Sequence, residues 1–529
     1  MKKIKIDIFD TTLRDGQQCP GAGLGFEHNI VYAKLAAKVG VDVLEAGFPA
    51  ASKLDFEIVK TIAQELSHKP QSPIIAGLCQ LREEQVYKTI EALKDATVFN
   101  KARLHVYVPV DPNLMVASLG EKLDKQKIIK DVSNFISLSS KEGLQVEFSP
   151  EGYSRQAENF DFTTDLIRAA VDSGATIINC PDTAGAASRF QSENYFVNSM
   201  NQHAEIINKE FPDKIITWSV HCHNDFGLAL DNSLQGIFHG PATQVEGCFN
   251  GIGERAGNVA LEQVIMTLKY FGVQNNCEFY TDIKTEHIKE ISDFIAKYML
   301  PRQPHSPICG DNASKHTSGG HTNAVLKAPT VYQGFDPKEV GMEVALSFGP
   351  LSGGNHAKDI ILKAGFICDD SEKANIAQYV KDYYKDRRKG VTDSEVVSAY
   401  IDFRKPIDIE TFDYSRRKEI SEVHLTGKFF DQAGEIIGKT EGRDSALSTL
   451  KNLVDQKYPG FEIFSYQSAS VGEGITALSE STIIVRRIEA VDAKTYTGIG
   501  QDRDIEISAM KAYLAAINSA YVYENYATK

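Results

Sequence analysis

A chain of 529 residues is too long for one ordinary core and long enough for two or three domains. Its 42% hydrophobic and 24% charged residues form a globular balance, which excludes a disordered or fibrous protein. Seventy-one acidic residues against 57 basic ones give a net charge of −14, a field that disfavours nucleic-acid phosphates and anionic lipid as partners. The eight cysteines are scattered singly with no Cys-x-x-Cys pair, as reduced thiols would be. No apolar run reaches the roughly 18 residues of a membrane span, and the N-terminal lysines are not followed by a signal-peptide core. A cytoplasmic protein is expected.

In chain order, apolar β-type runs fall at residues 4–9, 41–48, 73–79, 102–110, 144–150, 175–181, 215–222 and 243–249, with helix-period stretches between them. Eight βα units within residues 1–275 predict a (β/α)8 TIM barrel, with a doubly wound open sheet as the alternative. From 276 to 404 helical patterns alternate with Gly/Pro/Asn-rich stretches at 309–323 and 348–356, the pattern of a helical linker with long loops. From 405 to 529 strands return and a repeat emerges. Gly438, Arg443, Asp444, Ser448 and Lys451 recur at a constant offset of 60 as Gly498, Arg503, Asp504, Ser508 and Lys511. Each copy reads as a strand pair, a Gly/Asp turn and an amphipathic helix, so the C-terminal part is a duplicated α+β module.

Residues that follow barrel strands converge on one face, where chemistry is expected. There the sequence offers Arg14 and Asp15, His105, Glu151, Asp182 and Thr183, His221 and His223, and Asn258. His221 and His223 are two apart in a strand, so their imidazoles face one point, while Cys222 faces away and packs. Two such histidines are often hydrogen-bonded core residues. With Asp15 and the Asn258 amide oxygen on the same rim, they become a divalent-metal site whose mixed N/O donors suit Mg, Mn or Zn. Arg14 is either a salt-bridging arginine or the group that holds a developing oxyanion. Gly251, Gly253 and Gly257 read either as a phosphate loop or as a tight turn presenting Asn258. His316 and His321, in a Gly/Ser-rich stretch, read singly as solvated loop histidines.

Taken together, DTTLRDGQQ, GFPAAS, HVYVPV, SPEGYSR, PDTAGAA, SVHCHNDFGLAL and VEGCFNGIGERAGN resemble the 2-isopropylmalate synthase branch of the metal-dependent Claisen-type synthases and lyases. The resemblance spans essentially the whole chain. It implies that acetyl-CoA, as co-substrate, condenses with 3-methyl-2-oxobutanoate to give 2-isopropylmalate and CoA. It places the metal on Asp15, His221, His223 and Asn258, and charge stabilisation on Arg14. His105 and Thr183 fall at 2-oxo-acid positions, and Glu151 on the acetyl-CoA side. A partner subunit's linker would supply the base, His321, with Tyr332 linked to catalysis and regulation.

The same resemblance implies a homodimer or a dimer-based oligomer, with leucine as a feedback effector at the duplicated module. Three features depart from the family pattern: SGGHTN replaces a Ser-Gly-x-His-Gln-Asp run, the loop before the eighth strand is one residue longer, and the first repeat lacks Asn-Gly-Pro. Citramalate synthase and homocitrate synthase share the metal and arginine and stay open as alternatives. A hydroxymethylglutaryl-CoA lyase would end soon after the barrel, and a non-catalytic amino-acid sensor would have lost a metal ligand.

Overall fold

The computed structural model describes all residues except 121–122, 275, 329, 387–389, 418, 442–444, 473–476, 489–493 and 529. Eight parallel strands close into a barrel in sequence order: β1 (Asp7–Asp10), β2 (Val43–Glu45), β3 (Ile74–Gln80), β4 (Ala102–Pro109), β5 (Gln145–Glu151), β6 (Ile177–Asp182), β7 (Thr217–Cys222) and β8 (Ala242–Gly247). β1 pairs with β8 to complete the ring. The 4–9 run divides at Ile6, whose N–H bonds the Tyr280 carbonyl at 2.8 Å. Its first half, Lys2–Lys5, therefore leaves the barrel and pairs in parallel with Cys277–Tyr280.

The helices follow local signals. Ser52 accepts from the Asp55 N–H and starts helix Lys53–Leu66, which buries Ile58, Val59, Ile62, Ala63 and Leu66 against the strands. Each such Val, Leu or Ile stabilises the fold by roughly 1.5–3 kcal/mol on burial. The compact unit that holds the barrel comprises Met1–Ser314 and Gln333–Val344.

The second unit comprises Lys315–Tyr332 and Ala345–Lys529. Helices Gly354–Lys363, Lys373–Tyr383 and Asp393–Arg404 pack around Ile361, Phe366, Ile376, Val380 and Tyr400. Among the described residues the linker, expected to lack strands, carries short ones: Cys277–Tyr280, already described beside Lys2–Lys5, and a two-residue pairing of Lys315–His316 with Ala345–Leu346.

The duplication is visible as two βββα copies. Strands β9 (Ile407–Arg417), β10 (Ile420–Phe429) and β11 (Gln432–Glu441) precede helix Ala446–Asp455. Strands β12 (Phe461–Val471), β13 (Leu478–Arg487) and β14 (Thr495–Asp502) precede helix Ile505–Tyr526. Each copy thus has three antiparallel strands, not the expected pair. The repeated glycine has a physical reason at Gly498, where a Cβ would lie 2.1 Å from the Ala512 carbonyl oxygen of the packed helix.

At the turns before both helices, the helix N-termini are capped by the chain itself. In the second copy, Asp504 occupies the helix N-terminus itself and accepts from the Glu506 and Ile507 N–H groups at 2.8 and 3.2 Å. In the first copy, Ser445 caps the helix through the Ser448 N–H at 3.1 Å, while Arg443 and Asp444 lie outside the described residues. A ligand carboxylate would have to displace the chain's own caps. Among the described residues, no helix is long and apolar enough to cross a membrane.

Candidate active site

At the C-terminal ends of the strands, a cavity of about 280 Å³ is lined by Arg14, Asp15, His105, Glu151, Thr183, His221 and His223, among others. Nε2 of His221 and Nε2 of His223 lie 3.3 Å apart, and each is 3.8 Å from Oδ2 of Asp15. All three residues are buried. Burial holds both imidazoles neutral, each near a pKa of about 4. Burial alone would raise the Asp15 carboxyl, but Arg14 and the two histidines outweigh it and hold the group ionised well below the usual range.

One carboxylate and two neutral imidazoles turned to a common point are the donors a divalent cation needs. Donors about 2.1 Å from a shared cation and a tetrahedral angle apart lie about 3.4 Å from one another, which is close to this triangle. The residues fit the metal.

Asn258 holds Asp15 in place. Its Nδ2, not its Oδ1, meets Asp15, donating to Oδ1 at 2.7 Å and to the Ile252 carbonyl at 3.1 Å. A carboxylate oxygen only accepts, so the amide presents N–H to it and Asn258 fixes Asp15, while its Oδ1 is buried without a hydrogen bond among the described residues. The glycine-rich run is the turn that makes this possible. The loop after β8 folds back so that His223 bridges Asn258 through the backbone. Gly253, at φ +152°, leaves room where a Cβ would come within 2.2 Å of Asn258 Nδ2.

Arg14 donates from Nε to Glu45 at 2.6 Å and from Nη1 to Asp15 at 2.8 Å. It is at once a buried ion-pair residue and a cation at the cavity wall. Among the described residues its Nη2 has no hydrogen bond. His105 is bonded on both nitrogens, at 2.7 Å to Glu45 and 2.7 Å to Ser149. Burial lowers its pKa, but Glu45 and Glu246 outweigh that and raise it to about 9. A second cluster, His105, Glu147 and Glu246, is close enough to be compared with a metal site. With His105 protonated and both nitrogens engaged, it has no imidazole lone pair to give.

Thr183 Oγ1 accepts the Gly152 N–H at 2.9 Å, which leaves its own hydroxyl proton for a ligand acceptor. Burial pushes the Glu151 carboxyl up, and Arg14 opposes this. His321 and Tyr332 belong to the second unit, where their rings stack at 3.9 Å and 14°, with His316 edge-on to His321 at 5.8 Å.

Beneath the cavity the barrel interior is polar. Arg103 donates to Glu147 and Gln244 at 3.1 and 2.7 Å, and Gln244 donates to Glu147 and Ser219 at 2.8 and 3.0 Å. Burial raises Glu147, to about 8, and Glu246, and Glu147 holds the proton between the two. Sequence reasoning missed Glu45, Glu147, Glu246 and Arg255. The signal for the first three was an acidic residue inside an apolar strand run. Arg255, in the left-handed region at φ +55°, clamps Asp225 with two bonds of 2.9 Å and the Thr183 carbonyl with one of 2.8 Å.

Comparison with known proteins extends beyond the barrel. Residues 5–295 match the HMGL-like family model, 308–389 the "Homocitrate synthase post-HMGL domain-like" model, and 417–521 the "LeuA allosteric (dimerisation) domain" model. The 2-isopropylmalate synthase of Staphylococcus carnosus is 32% identical over 97% of this chain and 96% of its own. The chain belongs to the 2-isopropylmalate synthase family. Among other members, chloroplastic 2-isopropylmalate synthase 2 of Arabidopsis thaliana is 31% identical over 97% of this chain and 83% of its own. The Paracidovorax citrulli 2-isopropylmalate synthase is 32% identical over 97% of each. In this family the barrel carries the catalytic match and the duplicated βββα module the dimerisation match.

Proposed function

We propose that the chain condenses acetyl-CoA with 3-methyl-2-oxobutanoate and hydrolyses the thioester to 2-isopropylmalate and CoA, the committed step of leucine biosynthesis. The observation that carries this reading is the buried convergence of Asp15, His221 and His223 beside Arg14. These three residues would hold a divalent cation, Mg, Mn or Zn, which supplies Lewis acidity to the 2-oxo-acid carbonyl.

The protein's own groups do the rest. Thr183 donates its hydroxyl to the substrate carboxylate, and His105 walls the same pocket. His321 removes a proton from the thioester methyl group, whose electron pair forms the new C–C bond to C2 of the oxo acid. The keto oxygen, stabilised by Arg14 as charge grows on it, takes up a proton and ends as a hydroxyl. Water then cleaves the C–S bond and CoA leaves as the thiol. The methyl group is a very weak carbon acid, so placing the electrophile against it supplies much of the rate. Glu151 orients the acetyl-CoA side. The direct test is equimolar 2-isopropylmalate and CoA from these two substrates, lost on chelation. Metal-replete protein that forms neither contradicts the reading.

A second 2-oxo acid, pyruvate or 2-oxoglutarate, is favoured by one observation. Among the described residues, Leu78, Tyr107 and Pro181 alone give the cavity aliphatic or phenol-ring surface, little of it for an isopropyl group.

The active unit is a homodimer in which His321, next to Tyr332, serves the partner's barrel. Support comes from the family resemblance and from the exposed, stacked His321–Tyr332 pair. Mixing inactive His321→Ala chains with inactive Arg14→Ala chains is then expected to restore partial activity. Mixed dimers that form and stay dead contradict it. Leucine is the proposed effector of the duplicated module, supported by its match to the LeuA allosteric model. A cytoplasmic location fits these soluble small-molecule substrates.

A further inference from the structure

His221 and Glu246 are register partners on the neighbouring strands β7 and β8. The pairing puts both side chains in one layer of the barrel interior, with His221 Nδ1 3.4 Å from Glu246 Oε2. Each of these atoms is buried, and neither has a hydrogen bond among the described residues. Glu246 is wholly buried. A buried carboxylate oxygen and a buried ring nitrogen left apart are costly, and each is the complement within reach of the other.

The other face of the same ring carries the chemistry. His221 Nε2 is the atom turned toward Asp15 and His223. An imidazole that gives its Nε2 lone pair to a cation must carry its proton on Nδ1, and that proton needs an acceptor. Oε2 of Glu246, 3.4 Å away, is the carboxylate oxygen within reach of that proton. Its other oxygen, Oε1, is approached by the Ser219 hydroxyl at 3.4 Å, and the protonated Glu147 is a second neighbour of the carboxylate.

We propose that Glu246 is a positioning residue of the metal centre. It accepts the Nδ1–H of His221, selects the tautomer with a free Nε2 and holds the ring plane aimed at the cation. Glu246 touches no substrate atom in this role. The inference rests on the metal reading proposed above and deepens it, because it assigns to a buried carboxylate of the barrel interior a task in metal affinity.

The experiment measures Mn2+ affinity of metal-free protein by electron paramagnetic resonance of the unbound ion, in wild type, Glu246→Gln and Glu246→Leu. Glu246→Leu removes the acceptor and is expected to weaken binding about 10–100-fold. Glu246→Gln keeps a weaker acceptor oxygen and is expected to fall between Leu and wild type. Melting of the metal-free proteins separates this from a folding defect, and Gln, which matches Glu in shape, keeps the test decisive should the Leu variant fail to fold. Wild type that binds Mn2+ while the folded variants bind within twofold of it overturns the positioning role alone. Wild type that binds no Mn2+ overturns the metal reading and this role together.

Discussion

Replacing His223 by Ala is expected to abolish cation binding and to lower turnover by at least about 10³-fold, the equivalent of roughly 4 kcal/mol of transition-state stabilisation. The reason is the small number of donors. His223 is one of three groups converging at the barrel mouth, and its loss leaves one imidazole beside one carboxylate. Stability should change far less. The ring is neutral and its Nδ1 already lacks a hydrogen bond among the described residues, so no ion pair is broken by its removal. Dialysis against Mn2+, steady-state rates and melting of the metal-free protein separate the two effects. A fully active, metal-free His223→Ala protein contradicts the assignment.

Arg14→Gln is expected to reduce both activity and stability. In catalysis the guanidinium faces the charge that grows on the keto oxygen, and removing one such donor costs about 10²–10³ in kcat. In the fold it neutralises two buried carboxylates, Asp15 and Glu45, and an unpartnered buried charge costs about 3–5 kcal/mol. The pH dependence should become shallower. In the wild type both carboxyls ionise below their unfolded range. Their contribution is therefore complete above about pH 4.5 and is lost as pH falls toward the folded pKa values. Without Arg14, Asp15 loses its cationic neighbour while Glu45 keeps the protonated His105, so less stability is lost as pH falls through this range. Melting of the metal-free proteins between pH 3 and 7 measures this. Parallel curves for the two proteins contradict it.

The eight barrel strands were legible because each is a short apolar run between helix-period segments, and the His221–His223 pair because strand alternation is strict. The exception at residues 4–9 depended on a partner the sequence does not name, the Tyr280 carbonyl that draws Ile6 away from the barrel. In the duplicated module the missed third strand is half-exposed. Along β9 most side chains face solvent, so the alternation that marks a buried strand is weak. Glu45, Glu147 and Glu246 were visible as acidic residues in apolar runs. Only closure of the barrel shows that they face inward and meet Arg14, Arg103 and His105. Spacing brings Asn258 beside Asp15, but which end of its amide meets the carboxylate is decided by the acceptor opposite it.

The most direct measurement is kcat/KM for CoA release with 3-methyl-2-oxobutanoate, pyruvate and 2-oxoglutarate under one metal condition. The branched acid carries two more methyl groups than pyruvate, and burying them against Leu78 and Pro181 is worth roughly 1–3 kcal/mol, or about 10–200-fold. The expected result is highest kcat/KM for 3-methyl-2-oxobutanoate by a factor in that range. Pyruvate or 2-oxoglutarate in first place, or no CoA release with any of the three, contradicts the proposed function.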